Sequence, residues 1–221
     1  MVDLSLVKKN DLWYTIGLIA TDGNLSSSGR HINITSKDTG HLKLIRHVLG
    51  LTNKIGVKVG GTGSICSILQ FGDVNFYKFL ENIGLTKNKS RTLRPLKIPE
   101  KYFKDFLRGV IDGDGNIQET VHTGNGNIQW VLRIVSASPH FLPWLENVIK
   151  KAFGVDGRFH VNKSPGRNPL YILKYGKFAA KIILRGCYYK NALAMERKLK
   201  KAQKCIQSKN GLSKYGKLKA S

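Results

Sequence analysis

The feature that most constrains this chain is an internal echo. Tyr14-Thr15-Ile16-Gly17-Leu18-Ile19-Ala20-Thr21-Asp22-Gly23-Asn24 is matched by Phe106-Leu107-Arg108-Gly109-Val110-Ile111-Asp112-Gly113-Asp114-Gly115-Asn116. Asn33-Ile34-Thr35-Ser36 then rhymes with Arg133-Ile134-Val135-Ser136, Ile55-Gly56-Val57 with Phe153-Gly154-Val155, and Phe71-Gly72 with Tyr175-Gly176. The order is kept and the offset drifts slowly, as loop insertions would produce. Two copies of one unit of roughly a hundred residues are expected, meeting near Thr86 to Pro99. The reading assigns 1–90 to the first half, 91–100 to a linker, 101–207 to the second half and 208–221 to a loose basic tail.

Each unit reads as α-β-β-α-β-β-α. Leu12, Ile16 and Ile19 recur at helical spacing behind Asp11, a candidate cap. The second copy enters its helix after Pro99, with Glu100 in the first turn and Phe103, Phe106, Leu107, Val110 and Ile111 as the apolar face. Both helices end at Asp-Gly, where glycine is expected to take positive φ. His31 to Thr35 and Gln129 to Ile134 alternate as half-buried strands, with Ile32, Ile34, Leu132 and Ile134 on one face. His41 to Leu49 and Phe141 to Phe153 read as covering helices. Arg158 to Asn162 and Leu170 to Lys174 read as a hairpin turning at Ser164-Pro165-Gly166. The class is α+β: two pseudo-symmetric αββαββα units with antiparallel sheets and helices packed on one face.

Charge narrows the partners. Lys and Arg number 37 against 14 Asp and Glu, a net +23. Such a body calls for a polyanion, and nucleic acid gains affinity by releasing counterions to Lys and Arg. Cys66, Cys187 and Cys205 form no C-x-x-C pair and the histidines no zinc pattern. The start of the chain lacks a signal-peptide h-region, and Leu12 to Ala20 is too short to span a bilayer. An intracellular, non-secreted protein with no membrane partner is expected. Gly60-Gly61-Thr62-Gly63 reads as a hairpin tip, since no following Lys-Ser/Thr helix makes it a phosphate loop.

Gly17 and Thr21 are four apart, as are Gly109 and Gly113. Small residues at this spacing let two helices approach closely. If these stripes face each other, Asp22 and Asp114 emerge side by side, where they repel unless a cation sits between them. Hard divalent ions with oxygen ligands, Mg²⁺ above all, fit that arrangement. Beside a basic surface, this suggests phosphodiester hydrolysis.

TIGLIATDG and LRGVIDGDG resemble the signature of the LAGLIDADG homing endonucleases, and the duplicated pair resembles that family's single-chain form. The resemblance covers nearly the whole chain. It implies a monomer whose saddle-shaped sheets lie in the DNA major groove, and Mg²⁺-dependent cleavage of both strands across the minor groove, leaving 3′ overhangs. It places the metal-binding acids at Asp22 and Asp114, with the Thr21 and Gly113 carbonyls as further ligands to two or more ions, Mn²⁺ or Ca²⁺ being substitutes. At the sixth motif position stand Ala20 and Asp112, and Asp112 is expected to cap or ion-pair. A lysine in each half is implied near the scissile phosphates: Lys89, with Lys87 in reserve, and Lys198. Ser36 and Ser136 match the polar position that orders solvent.

Sequence readout is expected from polar residues on the open sheet faces, because each base pair shows a distinct pattern in the major groove. After the first acid these are Ser26, Ser28 and Arg30, joined by His31, Asn33, Lys58 and Gln70. After the second they are Gln118, Thr120 and His122, joined by Gln129, Arg133, Arg158, His160, Asn162 and Lys174. The halves differ at nearly all of them, so an asymmetric duplex site is expected. His41, His47 and His140 are expected to be surface or packing residues. With no splicing domain visible, a free-standing or intron-borne protein active in intron homing is expected. Two alternatives are an RNA maturase that assists its host intron, suited by the basic run Arg197 to Lys204, and a cleavage-inactive DNA-binding protein of the same fold.

Overall fold

A computed structural model describes residues 2–60, 63–121, 128–163, 165–166 and 168–209. The first unit runs α1 (Lys9–Asp22), β1 (Gly23–Leu25), β2 (His31–Ser36), α2 (Thr39–Val48), β3 (Ile55–Val59), β4 (Ile65–Gly72) and α3 (Val74–Asn82). The second runs α4 (Phe103–Asp114), β5 (Gly115–Val121), β6 (Ile128–Ser136), α5 (Phe141–Phe153), β7 (Arg158–Asn162), β8 (Leu170–Gly176) and α6 (Lys177–Cys187). The expected rhythm holds in both. A further helix, α7 (Glu196–Gln207), follows the second unit.

Each sheet is antiparallel, ordered β1-β2-β4-β3 and β5-β6-β8-β7. Strand alternation sends Ile32, Ile34, Leu69 and Phe71 of the first sheet, and Ile117, Leu132, Ile134, Leu173 and Tyr175 of the second, into the core. Side-chain caps stop fraying where the helices cover these faces: Asp38 accepts from the His41 amide at the start of α2, and Asp73 from the Phe76 amide at the start of α3. Asp11 plays no such part, because α1 begins at Lys9 and has no side-chain cap, which leaves Asp11 inside the first turn.

The two units share one contiguous core through α1 and α4. Leu12 through Ala20 are all buried, because α1 is covered by its own sheet on one side and by α4 on the other. Ile16, Ile19, Val110 and Ile111 are fully buried, each worth about 1.5–3 kcal/mol of transfer free energy. At the far end of the pair the Asn10 side chain donates to Asp105 at 3.0 Å, and Asp105 pairs with the buried Arg108 at 2.9 Å.

The glycines after the acids depart from expectation. Gly23 has φ −93° and Gly115 φ −80°, so neither uses the left-handed region. Each opens a strand directly as its helix ends. Glycine is needed there for space, since a Cβ would sit 2.6 Å from the Cα of Ile19 or of Ile111.

Candidate functional site at the helix pair

Gly17 and Gly109 bring the motif helices into backbone contact. One turn on, a Cβ on Gly113 would sit 2.8 Å from Thr21 Cβ and 3.2 Å from Asp22 Oδ2. The small-residue stripe therefore delivers the Asp22 carboxylate against the backbone of the residue before Asp114. Burial pushes both carboxyls up from 3.8. Asp114 reaches about 6, because desolvation and the charge of Asp22 outweigh the pull of Lys89 and Lys198. Asp22 is raised by desolvation, against Lys198, Lys89 and Arg197. Neither carboxylate takes a hydrogen bond from another described residue, which leaves acceptor oxygens free beside each other.

The two lysines converge on the same place. Lys89 lies in a 3-10 turn (Lys89–Arg91) and Lys198 in the first turn of α7. Both are almost fully buried. The Lys89 ammonium donates to the Gly23 carbonyl, and that of Lys198 donates to Gly115 and, at 3.1 Å, to Ile111. Desolvation brings each to about 8, with the acids opposing the fall. Lys87, the reserve, is exposed. A cavity of about 260 Å³ opens beside the acids, lined by Thr21, Lys89, Ser90, Asp114 and Ser136 among others.

Several expected residues act differently. Ser136 borders that cavity, yet its hydroxyl accepts from the Ser138 amide at 3.1 Å, and Ser36 accepts from Asp38 at 3.0 Å. In the first half it is Thr35 that reaches the acid, its hydroxyl donating to the Asp22 carbonyl at 3.3 Å. Asp112 neither caps its own helix nor pairs with a base. It is fully buried and accepts from the Tyr14 hydroxyl at 2.6 Å, the Tyr188 hydroxyl at 2.6 Å and the Met195 amide at 2.7 Å. Desolvation raises its carboxyl from the usual value. His41 is buried, with Nε2 2.7 Å from the Tyr14 hydroxyl, and is held below its ordinary value by desolvation.

The strand registers place the residues expected to read sequence. Asn33 opposes Gln70, Arg133 opposes Lys174, Lys58 lies beside Cys66, and Thr120 opposes Gln129. All share the face away from the helices, as do His31, Gln118, Arg158, His160 and Asn162. No carboxylate occupies this face among the described strand positions. Arg133 donates to Gln118, so the two work as one unit. A larger depression of about 670 Å³ lies on the second sheet around Arg158, His160, Lys174 and Lys177, away from the acids.

Alternation fails in one stretch. β1 ends at Leu25, so Ser26, Ser28 and Arg30 belong to the β1–β2 turn, where the Ser28 hydroxyl meets His31 Nδ1 at 2.9 Å. The open strand positions nearest the acids are Asn24 in β1, opposite Asn33, and Asn116 in β5, opposite Arg133. Both were signalled by the same alternation counted from the acids. His122, Ser164, the Gly61-Thr62 part of the glycine run and the tail from residue 210 lie outside the described residues. Among the described residues no helix is long and apolar enough to cross a membrane.

Comparison with known proteins agrees with this geometry. The family model for LAGLIDADG-like domains matches residues 104–195. Full-length DUF199/WhiA from Thermatoga maritima superposes with a TM-score of 0.55 at 12% identity, covering 92% of this chain and 62% of that one. The homing endonuclease I-WcaI, bound to its DNA recognition sequence, gives 0.60 at 14% identity over 89% of this chain and 87% of its own. The meganuclease I-SmaMI, bound to uncleaveable DNA, gives 0.59 at 15% identity over 90% of each. No curated protein sequence matches. The second unit thus matches the LAGLIDADG-like domain model over residues 104–195, and the chain as a whole shares the two-unit fold of these solved homing endonucleases.

Proposed function

We propose that this protein is a monomeric, site-specific endonuclease of double-stranded DNA. It binds a long asymmetric duplex along its two open sheet faces and cuts both strands beneath the helix pair, leaving 3′ overhangs. The observation that carries the reading is the junction itself. Two carboxylates without protein partners stand side by side between two buried lysines, at the seam of two sheets whose open faces carry no carboxylate among the described strand positions.

The residues fit a divalent cation such as Mg²⁺. Oxygen donors dominate, and the carboxyl of Asp114 is raised first by burial and then by the charge of Asp22, both of which a bound cation would offset. Asp22 and Asp114 would hold the ions, with the Thr21 and Gly113 carbonyls beside them. Bound there, the ions would activate water and stabilise the leaving oxygen. Lys89 and Lys198 keep fixed positive charge against the scissile phosphates, and their burial excludes competing water. Arg133, Lys174, Arg158 and Lys58 neutralise the DNA backbone or read base edges.

Selection of cleaved sequences from a random duplex library with Mg²⁺ tests the proposal. Asp22→Asn or Asp114→Asn abolishes cutting and leaves affinity within about tenfold, since backbone charge dominates binding. Binding without cutting by the unaltered protein would mean the DNA-binding reading instead. Preference for intron RNA over duplex would mean the maturase reading, which the exposed Arg197, Lys200, Lys201 and Lys204 of α7 would then serve.

A further inference from the structure

Asp112 is a fully buried carboxylate with no part in the cation site, yet three donors converge on it from three segments. Tyr14 comes from α1, Tyr188 from the end of α6, and the Met195 amide from the residue that caps α7. Met195 is also where α7 begins to wind, since its carbonyl accepts the amides of Lys198 and Leu199, both at 2.9 Å. One turn beyond, the Lys198 ammonium is fixed on Ile111 and Gly115, the residues flanking the Asp112 to Asp114 stretch. The chain thus leaves α4, and α7 is pinned back onto α4 at both ends of a short lever: the Met195 amide on Asp112 and the Lys198 ammonium beyond it.

The first half has no such lever. Its sixth motif position is Ala20, and Lys89 sits in a 3-10 turn entered through Asn88 at φ 54°. Two lysines that occupy equivalent places are therefore held by different means.

We propose that Asp112 is a positioning residue for Lys198 alone, fixing the start of α7 so that this one ammonium stays seated beside the acids. Its carboxylate can accept from all three donors at once because it is acceptor-only when ionised, with four lone-pair sites. Asparagine of the same shape removes the charge and presents an NH₂ on one side, so the charge-assisted hold on Met195 or on Tyr188 is lost. The Lys89 side has no link to this carboxylate and is left as it was.

The test needs no cleavage. Lysine acylation of the full chain, read by mass spectrometry, compares Lys198, Lys89 and the exposed Lys201. In the unaltered protein Lys198 and Lys89 both react far more slowly than Lys201. In Asp112→Asn the Lys198 rate rises about tenfold, the factor carried by one lost charge-assisted hydrogen bond, while Lys89 does not change. Tyr188→Phe, which removes one donor and keeps the packing, shifts Lys198 in the same direction by less and carries the test should Asp112→Asn not fold. An unchanged Lys198, or an equal rise at Lys89, would overturn the proposal. A second readout rests on the endonuclease reading: single-turnover cleavage of the two strands separates in Asp112→Asn, one strand slowing and nicked duplex accumulating. A protein that cuts nothing sinks the endonuclease reading and leaves the labelling result standing.

Discussion

A Cβ placed on Gly17 would lie 3.0 Å from the Cα of Gly109, and one placed on Gly109 would lie 2.9 Å from the Cα of Gly17. Each would also overlap the carbonyl of the facing helix. The distance between the motif helices, and with it the placement of both acids, is set by these two missing side chains.

Gly17→Ala or Gly109→Ala therefore destabilises the fold by about 3 kcal/mol, the upper range for overpacking, because the obstacle is backbone and cannot rotate away. Gly40→Ala serves as contrast. Its Cβ meets only Asp38 Oδ1 at 3.4 Å, and the helical position favours alanine, so it is neutral or stabilising by about 0.5–1 kcal/mol. Urea midpoints of the three variants check both statements.

Asp114 makes stability fall with pH in a defined window. Its carboxyl rises from 3.8 to about 6 on folding, so between those values the folded protein binds more protons than the unfolded chain. Without divalent metal, stability from this group is full below pH 4 and is lost by about pH 6. Asp114→Asn removes the effect. In a chelator the variant matches the unaltered protein near pH 4 and exceeds it at pH 7 by up to about 3 kcal/mol, the worth of such a shift. Melting temperatures at the two pH values decide it, and Mg²⁺ should narrow the gap at pH 7.

DNA affinity should fall linearly with salt on a log–log plot, at a slope of about −0.9 per phosphate neutralised. Lys58→Ala makes the slope shallower by about one contact and weakens all sequences alike. A flat plot would remove the sheet faces from the interface.

Arg133→Ala acts differently. Arg133 is oriented by Gln118 and faces Lys174 across the strands, which suits it to a base edge. Its loss relaxes preference at one base-pair position by about 1–3 kcal/mol. Gln118→Ala should relax the same position, because it frees the guanidinium. Binding to a panel of single-base variants of the site reads out both.

The repeat made the architecture legible before any coordinates, because order and spacing of apolar faces survive where individual residues drift. The strand faces followed from simple alternation wherever the strand was long enough. They failed at Ser26 to Arg30 because β1 is only three residues long, and no local signal marks where a short strand yields to its turn. The helix α7 was missed as an element. Its buried residues are Lys198, Ala202 and Cys205, at proper helical spacing, but a lysine leading such a face does not read as core. Asp112 was misread for a related reason. A carboxylate two positions from an expected metal ligand suggests an ion pair, and its three donors come from segments far away in sequence. Glycine at the motif ends was correctly singled out, but for the wrong physical virtue: it provides clearance and not a left-handed turn.

The unlike pair Thr21 and Gly113 carries a consequence of its own. Where the second half has bare backbone, the first half brings a hydroxyl-bearing side chain into the gap, and a Cβ at Gly113 would collide with it. Two copies of the first half would set threonine against threonine in that gap. The halves have diverged into a lock and its one key: the first half cannot face a copy of itself unless position 21 loses its side chain, whereas glycine facing glycine in two copies of the second would leave the gap unfilled.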